Sequence, residues 1–418
     1  MANQYKGIAY LRRKLAVKRE RVLLRYKYYE QKDHHLPRNL LVPTELQNTF
    51  KAVLGWSSTA VDSMADCLSF RGFRNDNFNM QQIYEMNNPD VLFDSAILGA
   101  LISSCDFIYI SEDETGFPRL QVIDGANATG IIDPITNMLE EGYAVLKRDE
   151  YEKPTTEAYF IPGKTYIYTK DEKNPVVFSH YAPYPLLVPI IYRPDSRRPF
   201  GHSRLSRACM SAQNNANDTL LNMSICSEAN SFPQKYVLGM DEDAENINEG
   251  HRAALSDFLQ INRGSGGGVP TVGQFAQAQL SAYVEELETW AGIFAAECDL
   301  TTSDLGFHIE NTSDADNYAI SHSKLQNKAF KAQRNFGVGF LNAGYLAACV
   351  RDKYPYKRKQ VYQTKVLWEP IFTPGASTIA AIGDAAVKVN QAVPGYFGDK
   401  NLRDLTGMDS DNSTGGSF

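Results

Sequence analysis

The stretch RPFGHSRLSRACMSAQNNANDTLLNMSICSEANSFPQKYVLG, residues 198–239, predicts one long helix over residues 203–230. A surface helix normally sets a wide stripe of large apolar residues against a charged face. This helix is rich in Asn, Ser and Ala and poor in large side chains. Small, uncharged sides let helix axes approach closely, which favours a crowded array of similar helices. Burial inside a large monomer is the alternative.

Two further long helices follow, over residues 275–299 and 314–350. The second has a large apolar face through Leu287 and Phe294 and another face of small residues through Gly292, so we expect neighbours on both sides, as around a ring. The third repeats an apolar stripe with glycines inside it. Because glycine in a helix interior costs about 0.5–1 kcal/mol, these glycines favour close backbone contact over a bend. The glycines are Gly337, Gly339 and Gly344.

The composition describes an ordinary folded chain. It has 418 residues, of which 43% are hydrophobic and 22% charged, so we expect two or more structural units. A net charge of −7 gives no reason to expect tight DNA binding through basic patches. Six dispersed cysteines without a CxxC pair favour buried, reduced thiols. The apolar run at 95–105 is too short for a membrane span, and we expect a soluble, intracellular chain.

The order of the remaining elements predicts an α+β fold. A basic helix covers residues 7–29; a solvated face is its simpler interpretation, and contact with an acidic neighbour or nucleic acid is the alternative. Helices follow at 44–69 and 90–104. A late strand at 365–371 is expected to return to the earlier antiparallel sheet, followed by helices at 376–393 and 400–406. The strands of that sheet are predicted at 107–110, 119–123, 143–148, 157–161, 165–169, 175–179 and 186–191.

No catalytic signature emerges from the sequence. Gly163, Lys164 and Thr165 resemble the end of a phosphate-binding loop, but Ala158 stands where its first glycine belongs and a strand follows, so we predict a hairpin turn. The pair His34 and His35 stands in a polar loop, where we do not expect a metal. We therefore predict that the chain is not an enzyme and uses no cofactor or metal.

The chain resembles the portal (head-to-tail connector) proteins of tailed bacteriophages, in the siphophage-type branch. The segment RYKYYEQKD is similar to the family's Tyr-rich turn after the first helix. The block from Val188 to Gly239, with Val188-Pro189, Gly201, Ser203, Glu228 and Pro233, matches its most recognisable region. Residues 311–337, NTSDADNYAISHSKLQNKAFKAQRNFG, are similar to the segment after the tunnel loop. The resemblance spans about residues 20–405.

The resemblance implies a portal fold with a wing, a two-helix stem, a small α/β clip and a short helical crown region. It places N-terminal helices and wing at 1–200, stem helices at 201–230 and 275–299, and the clip at 231–274. The tunnel loop is then 300–313 and a long wing and crown-side helix 314–350. The chain closes with a return strand and helices at 351–408 and a disordered tail at 409–418. Only about 68 residues follow Val350, so a large crown is not expected.

Three groups of site residues are expected from this resemblance. Residues of the tunnel loop are expected to face DNA: Phe307, His308, Glu310 and Asn311. Acidic stem residues are expected to line the channel: Asp218, Glu285, Glu286 and Glu288. Acidic clip residues are expected to dock the terminase or the tail adaptor: Asp241, Glu242, Asp243, Glu245 and Glu249.

The implied function is a homo-oligomeric ring, usually a dodecamer, at one capsid vertex of a virion. Its channel passes double-stranded DNA during packaging and ejection, without sequence specificity. Implied partners are the terminase large subunit, the major capsid and scaffolding proteins and the head–tail adaptor, with no membrane; before that, the chain is expected in the host cytoplasm. Alternatives are a minor capsid or scaffold-associated structural protein and, less favoured, a nucleic-acid-processing enzyme.

Overall fold

The computed structural model describes residues 5–32, 52–231, 235–238, 271–274, 279–307, 320–372 and 376–406. The fold is α+β, as predicted, with antiparallel sheets. The chain divides into two compact units. The first gathers Met1–His35, Val53–Asn214 and Trp290–Phe418, and the second Leu36–Ala52 and Asn215–Thr289. In the described part of the chain, no helix combines the length and apolarity needed to cross a bilayer.

A three-stranded antiparallel sheet lies at the centre of the first unit. Its middle strand β2 (Cys105–Glu112) pairs on one side with β3 (Pro118–Ile123) and on the other with β9 (Leu187–Ile191). Six consecutive residues of β2 and all five of β9 are buried, which explains why both read as apolar runs in the sequence.

A five-stranded meander follows in chain order. Its hairpins are short, and Gly163 takes a φ of +77° in the turn between the third and fourth strands. The predicted hairpin turn at Pro162-Gly163 is therefore confirmed. The predicted strands thus form two sheets instead of one module. The meander strands are β4 (Ala128–Ile132), β5 (Leu139–Arg148), β6 (Pro154–Ile161), β7 (Lys164–Thr169) and β8 (Val176–Ser179).

The basic N-terminal helix α1 (Ile8–Tyr29) packs on the meander. Leu11 and Leu15 form a buried cluster with residues of β5. Lys14 Nζ donates to the carbonyl of Gly130 at 2.6 Å, so the helix covers carbonyls of the β4 edge strand. Elsewhere on the helix Arg12 pairs with Glu157, and Arg19 Nη2 lies 2.7 Å from Glu152 Oε2. The charged side chains of α1 therefore bind groups of the meander, and they are not only a solvated face of the helix.

An aromatic cluster joins the short elements that precede the sheets. The elements that it joins are β1 (Phe70–Arg74), α3 (Met80–Glu85) and α4 (Pro89–Ser103), while α2 (Trp56–Ala65) precedes them in the chain. Phe70 lies with its ring centroid 4.0 Å from that of Phe93 and 5.3 Å from that of Phe340. Tyr84 is fully buried and donates its hydroxyl to the carbonyl of Phe340 at 2.6 Å. Of the helix predicted at 44–69, residues 52–55 are not helical and Trp56–Ala65 are, while residues 33–51 lie outside the described part.

The late strand β12 (Lys365–Trp368) pairs antiparallel with β1. The expectation that it returns to the sheet at 105–191 was wrong. Trp368 packs edge-on against Phe70, with ring centroids 5.4 Å apart, so the aromatic cluster selects β1 as its partner. β1 itself was missed because its sequence, FRGFR, contains two arginines and a glycine and no apolar alternation.

The longest helix, α7 (Ser323–Arg351), confirms the predicted stripe. Its residues Leu325, Ala329, Ala332, Phe336, Phe340, Ala343 and Ala347 are all buried. A Cβ added at Gly337 would lie 2.6 Å from Val366 Cγ2, and one at Gly339 2.7 Å from Ile190 Cδ1. At Gly344 it would lie 3.0 Å from Met80 Sδ. The glycines therefore serve close contact, as predicted. The predicted start of this helix, at Asp314, lies outside the described residues.

The terminal helices are α8 (Ala376–Ala392) and α9 (Asp399–Thr406), close to the predicted ranges. The second unit contains most of α5 (Arg207–Ser231) and the start of α6 (Ser281–Cys298). It also contains β10 (Lys235–Leu238) and β11 (Thr271–Gln274), which pair antiparallel. Most of the predicted clip, residues 239–270, and the tail at 409–418 lie outside the described residues.

Gly337→Ala should destabilise the protein by about 1–3 kcal/mol, because the new methyl group overlaps Val366 across the contact between α7 and β12. Gly383→Ala is the matched control, since Gly383 is an exposed helical glycine with no atom within 4 Å of an added Cβ. It should be neutral or stabilising by up to about 1 kcal/mol. The midpoint of chemical denaturation of the full chain measures both. Equal midpoints for the two variants would show that the contact at Gly337 is loose.

Candidate functional site

The long helix α5 begins four residues later than the sequence predicted. Ser203 Oγ donates to the carbonyl of Ile102 at 2.6 Å and accepts the backbone N–H of Leu205 at 3.0 Å, so this segment turns before the helix starts. Ser206 then accepts the N–H of Cys209 at 3.2 Å through its hydroxyl. This is the bond of an N-cap serine, and it fixes the helix start at Arg207.

Arg204 is a buried hub between the long helices. Its Nε donates to the carbonyl of Ala60 at 2.8 Å, and its Nη2 donates to the carbonyl of Cys298 at the end of α6. Its Nη1 lies 3.7 Å from Asp299 Oδ2, and Lys328 of α7 also pairs with Asp299. The Arg204 and Asp299 side chains are only 3% and 9% exposed. The Arg204 guanidinium therefore ties the turn before α5 to α2 and α6, and its carboxylate partner Asp299 also binds α7.

Two thiols meet beside this hub. The Sγ atoms of Cys209 and Cys298 lie 3.0 Å apart, and both residues are buried. The hydrogen bond from Cys298 lowers the pKa of Cys209, while the same bond and burial raise the pKa of Cys298. Burial, as predicted, holds for five of the six cysteines, and Cys226 is half-buried.

The amide side chains at the start of α5 bind their own chain. Gln213 Oε1 accepts from the backbone N–H of Ser57 at 3.0 Å and from its hydroxyl, and Gln213 Nε2 donates to the carbonyl of Leu54 at 2.8 Å. Tyr28 donates its hydroxyl to Asn214 at 3.0 Å. Part of the Asn- and Gln-rich character of α5 is therefore explained by contacts with α1 and α2, which sequence reasoning missed.

Helix α6 shows the two faces that the sequence predicted. Leu287, Ala291 and Phe294 are buried, and Phe294 packs on Trp56 with ring centroids 5.5 Å apart. The face of small residues is open: a Cβ added at Gly292 would meet no atom within 4 Å. Its described members Ser281, Thr289 and Ala296 are exposed, and the apolar residues Val284 and Ile293 are 44% and 43% exposed.

The predicted channel acids are partly accessible. Glu285 and Glu286 are exposed on α6, while Glu288 and Asp218 are half-buried. In the described part of the chain no three metal-ligating side chains group together.

The clip acids Asp241, Glu242, Asp243, Glu245 and Glu249 all lie outside the described residues.

The start of the predicted tunnel loop is a tightly bonded turn. Asp304 Oδ2 accepts the backbone N–H of Thr301 at 2.7 Å and lies 2.9 Å from Nε2 of the buried His322. Phe307 is half-buried and contacts Trp56 edge-on at 6.2 Å between ring centroids. Its three companions in the prediction, His308, Glu310 and Asn311, lie outside the described residues. The contact between Asp304 and His322 could not be predicted from local sequence, because the two residues are 18 positions apart.

The comparisons with known proteins give distant structural similarities. No family model and no curated protein matches the chain. It is similar to a chain from the virion of a native gene transfer agent particle, with 12% identity and a TM-score of 0.45, over 84% of this chain and 89% of that one. A chain from the neck of the native particle, computed with C12 symmetry, gives 13% and 0.46 over 92% and 99%.

A third similar chain comes from the neck of the empty gene transfer agent particle, computed with C6 symmetry. Its identity is 13% and its TM-score 0.44, over 87% of this chain and 93% of that one.

Removal of the buried carboxylate from the Arg204 hub should reduce the stability of the protein much more than removal of an exposed carboxylate. Asp299→Asn keeps the shape of the side chain and tolerates the φ of +56° at this position, but it leaves Arg204 and Lys328 without their carboxylate. We expect a loss of about 3 kcal/mol in the free energy of unfolding, as for other broken buried pairs.

Glu152→Gln is the control for this experiment, because Glu152 is a 70% exposed partner of Arg19. Exposed pairs contribute only about 0–1 kcal/mol. Chemical denaturation of both variants gives the comparison. A loss at residue 299 no larger than at residue 152 would mean that the hub does not hold the helices.

Proposed function

We propose that this chain is the subunit of a phage portal: a ring, in the dodecameric form typical of the family, at one vertex of a capsid. Its channel passes double-stranded DNA during packaging and ejection. Its clip docks the terminase large subunit and later the head–tail adaptor, and its outer surface contacts the major capsid and scaffolding proteins. The chain acts in the virion after assembly in the host cytoplasm, without a cofactor and without catalysis.

The observation that carries this proposal is the order of α5, the β10–β11 strand pair and α6 along the chain. Each of the two long helices belongs partly to the first unit and partly to the second, and the antiparallel strand pair lies between them in sequence, within the second unit. We assign this order to the stem, clip and stem that the resemblance implies. A scaffold protein built mainly of helices has no reason to combine this order with two antiparallel sheets.

The open face of α6 supports a ring. Gly292 has free space above it, and Ser281, Thr289 and Ala296 on the same side of the helix are exposed. Small residues let a neighbouring helix approach closely. Val284 and Ile293 stand on opposite sides of α6, so each would bury apolar surface at one edge of that contact. When one face of a subunit fits a different surface of the next copy, repeating that contact rotates each subunit by the same angle. The copies form a closed ring when these rotations add up to a full turn.

A second uncovered surface is the last strand of the meander. All four residues of β8 are exposed, among them Val176, Val177 and Phe178, and the strand has an open edge in the described sheet. Exposed apolar edge strands invite association with another chain unless they are covered. In the proposed ring, a neighbouring subunit would cover the exposed strand β8.

The acids of the stem fit a channel through which DNA slides. DNA carries one charge per about 1.7 Å of its axis, so rings of lysine or arginine would bind it tightly. We assign the exposed Glu286 and the half-buried Asp218 to the lumen side. Glu285 and Glu288 lie seven and four residues from Gly292, so we place them at the border between the lumen and the neighbouring subunit. The field of these acids reaches about 8 Å at physiological salt, so they act only where they face DNA. The loop that begins at Phe307 is proposed to contact the duplex without sequence preference.

The ring is tested by native mass measurement and negative-stain imaging of the purified chain. We expect a closed ring of about twelve subunits with a central hole, driven by burial of the open α6 face. Gly292→Leu should abolish rings, because its side chain fills the space needed by the neighbour. Gly383→Leu adds the same bulk at another open helical glycine and should leave rings intact. Normal rings from Gly292→Leu would contradict the assignment of α6 to the interface.

The channel charge is tested with Glu286→Lys, because Glu285 lies seven residues from Gly292 and therefore on the side of α6 assigned to the neighbouring subunit. Rings should still form, while release of packaged DNA slows by about tenfold, because each ring gains many phosphate contacts. Glu114→Lys, at an exposed acid in the hairpin between β2 and β3, is the control. The measurement is the rate of DNA release from particles carrying each variant. Unchanged release from Glu286→Lys would remove this residue from the lumen.

A further inference from the structure

A basic cavity of about 610 Å³ lies in the first unit, between α1, the end of α4 and the loop at residues 198–201. Its volume falls within the range of about 300–1,000 Å³ that small-ligand sites occupy. Among the described residues that line it, no side chain is acidic. The cationic side chains that line it are Arg13, Lys14, Lys18, Arg21, Arg25 and Arg198. A concave surface with this charge is unusual in a chain whose net charge is −7.

The inner cations are held in place by backbone carbonyls. Lys14 and Lys18 donate to the carbonyls of β4, and Arg25 Nη1 donates to the carbonyl of Ser103 at 2.9 Å. The ammonium groups of Lys14 and Lys18 also lie 4.8 and 5.8 Å from the ring centroid of Phe200. Carbonyls and a ring face orient these groups, but they do not cancel a full positive charge.

The loop that supplies Arg198 is preorganised as well. Asp195 Oδ1 accepts the backbone N–H groups of Arg197 and Arg198 at 2.8 and 2.6 Å. Gly201 has a φ of +74°, and a Cβ at this position would lie 2.0 Å from the carbonyl oxygen of Tyr192. Only glycine lets the loop close against the strand end in this way, so the wall of the cavity is a defined structure.

The cations around the cavity crowd one another. Burial and the neighbouring Lys18 and Lys6 lower the pKa of Lys14. Burial, followed by the charges of Arg21 and Arg198, lowers the pKa of Arg25 to about 10. Asp106 and Asp124 act on Lys18 but do not line the cavity. An anion inside the cavity would relieve this repulsion.

We propose that this cavity binds a ligand with several clustered phosphate groups. Four of its six cations are arginines, whose planar forks match phosphate oxygens in pairs. A triphosphate concentrates its charge within the volume available. An acidic peptide spreads one charge over each ~3.3 Å of chain and matches the cluster less well. The phosphates belong either to a free polyphosphate, such as a nucleoside triphosphate, or to the backbone of a single nucleic-acid strand.

The test uses Arg13→Ser/Arg21→Ser in the full chain, since both arginines are exposed and neither has an ion-pair partner among the described residues. Sodium tripolyphosphate and a short single-stranded oligothymidylate are the probes, titrated calorimetrically at low salt. At least one probe should bind, and the double variant should weaken that binding by about tenfold. Lys27→Ser, an exposed cation of the same helix outside the cavity, should bind like the wild type.

The stronger of the two probes identifies the source of the phosphates. The proposal fails if neither probe binds, or if the double variant binds as tightly as the wild type. It also fails if Lys27→Ser weakens binding as much as the double variant, because the site would then be a diffuse basic surface. Binding of a poly-glutamate peptide alone would replace it with a peptide-docking site. Ring assembly is a separate readout, so failure here is distinguishable from failure of the portal assignment.

Discussion

The buried contact between Arg204 and Asp299 is the constraint on which the arrangement of the long helices depends. A guanidinium and a carboxylate removed from water are tolerated only when their hydrogen bonds and charges are matched. Here the matching groups come from α2, from the end of α6 and from Lys328 of α7. These helices are far apart in the sequence, and each must be in place before the charges are compensated. The hub therefore makes their packing cooperative.

The unusual composition of α5 has two explanations along its length. Near its start, Gln213 and Asn214 bond to α1 and the segment before α2, so their polarity is used within one chain. The small buried residues Cys209, Ala212 and Ala216 allow close packing there. The open face of α6 remains available to a neighbour. The same kind of residue thus serves a monomer core at one place and, in the proposed function, an interface at another.

Much of the fold was predictable because its signals are local. The strands between residues 105 and 191 alternate or run apolar between turn residues, and every predicted one exists. Strands β1 and β4 were missed, and β12 was given the wrong partner. The partner of β12 is decided by Phe70 and Trp368, almost 300 positions apart, and the strand at Phe70–Arg74 has no apolar pattern.

The candidate site was predictable to a smaller extent. The two faces of α6 follow from helical periodicity, and the structure shows one buried and one open. The hub at Arg204 joins residues 94 or more positions apart, which leaves no periodic pattern to read. Arg13, Lys14 and Arg198 form one cavity only because α1 folds back on the loop near residue 200. The sequence showed the charges of α1 without showing what they face.

The three glycines of α7 also have a mechanical meaning. Gly337 packs against β12, Gly339 against β9 and Gly344 against α3. Close contacts at three separate places therefore fix the position of this one helix. A slide by one residue, about 1.5 Å along the axis, would bring side chains into gaps that admit none. The helix is therefore unable to creep past its neighbours by small steps. A force along the axis of α7 would therefore be transmitted directly to the strands β12 and β9, without sliding of the helix.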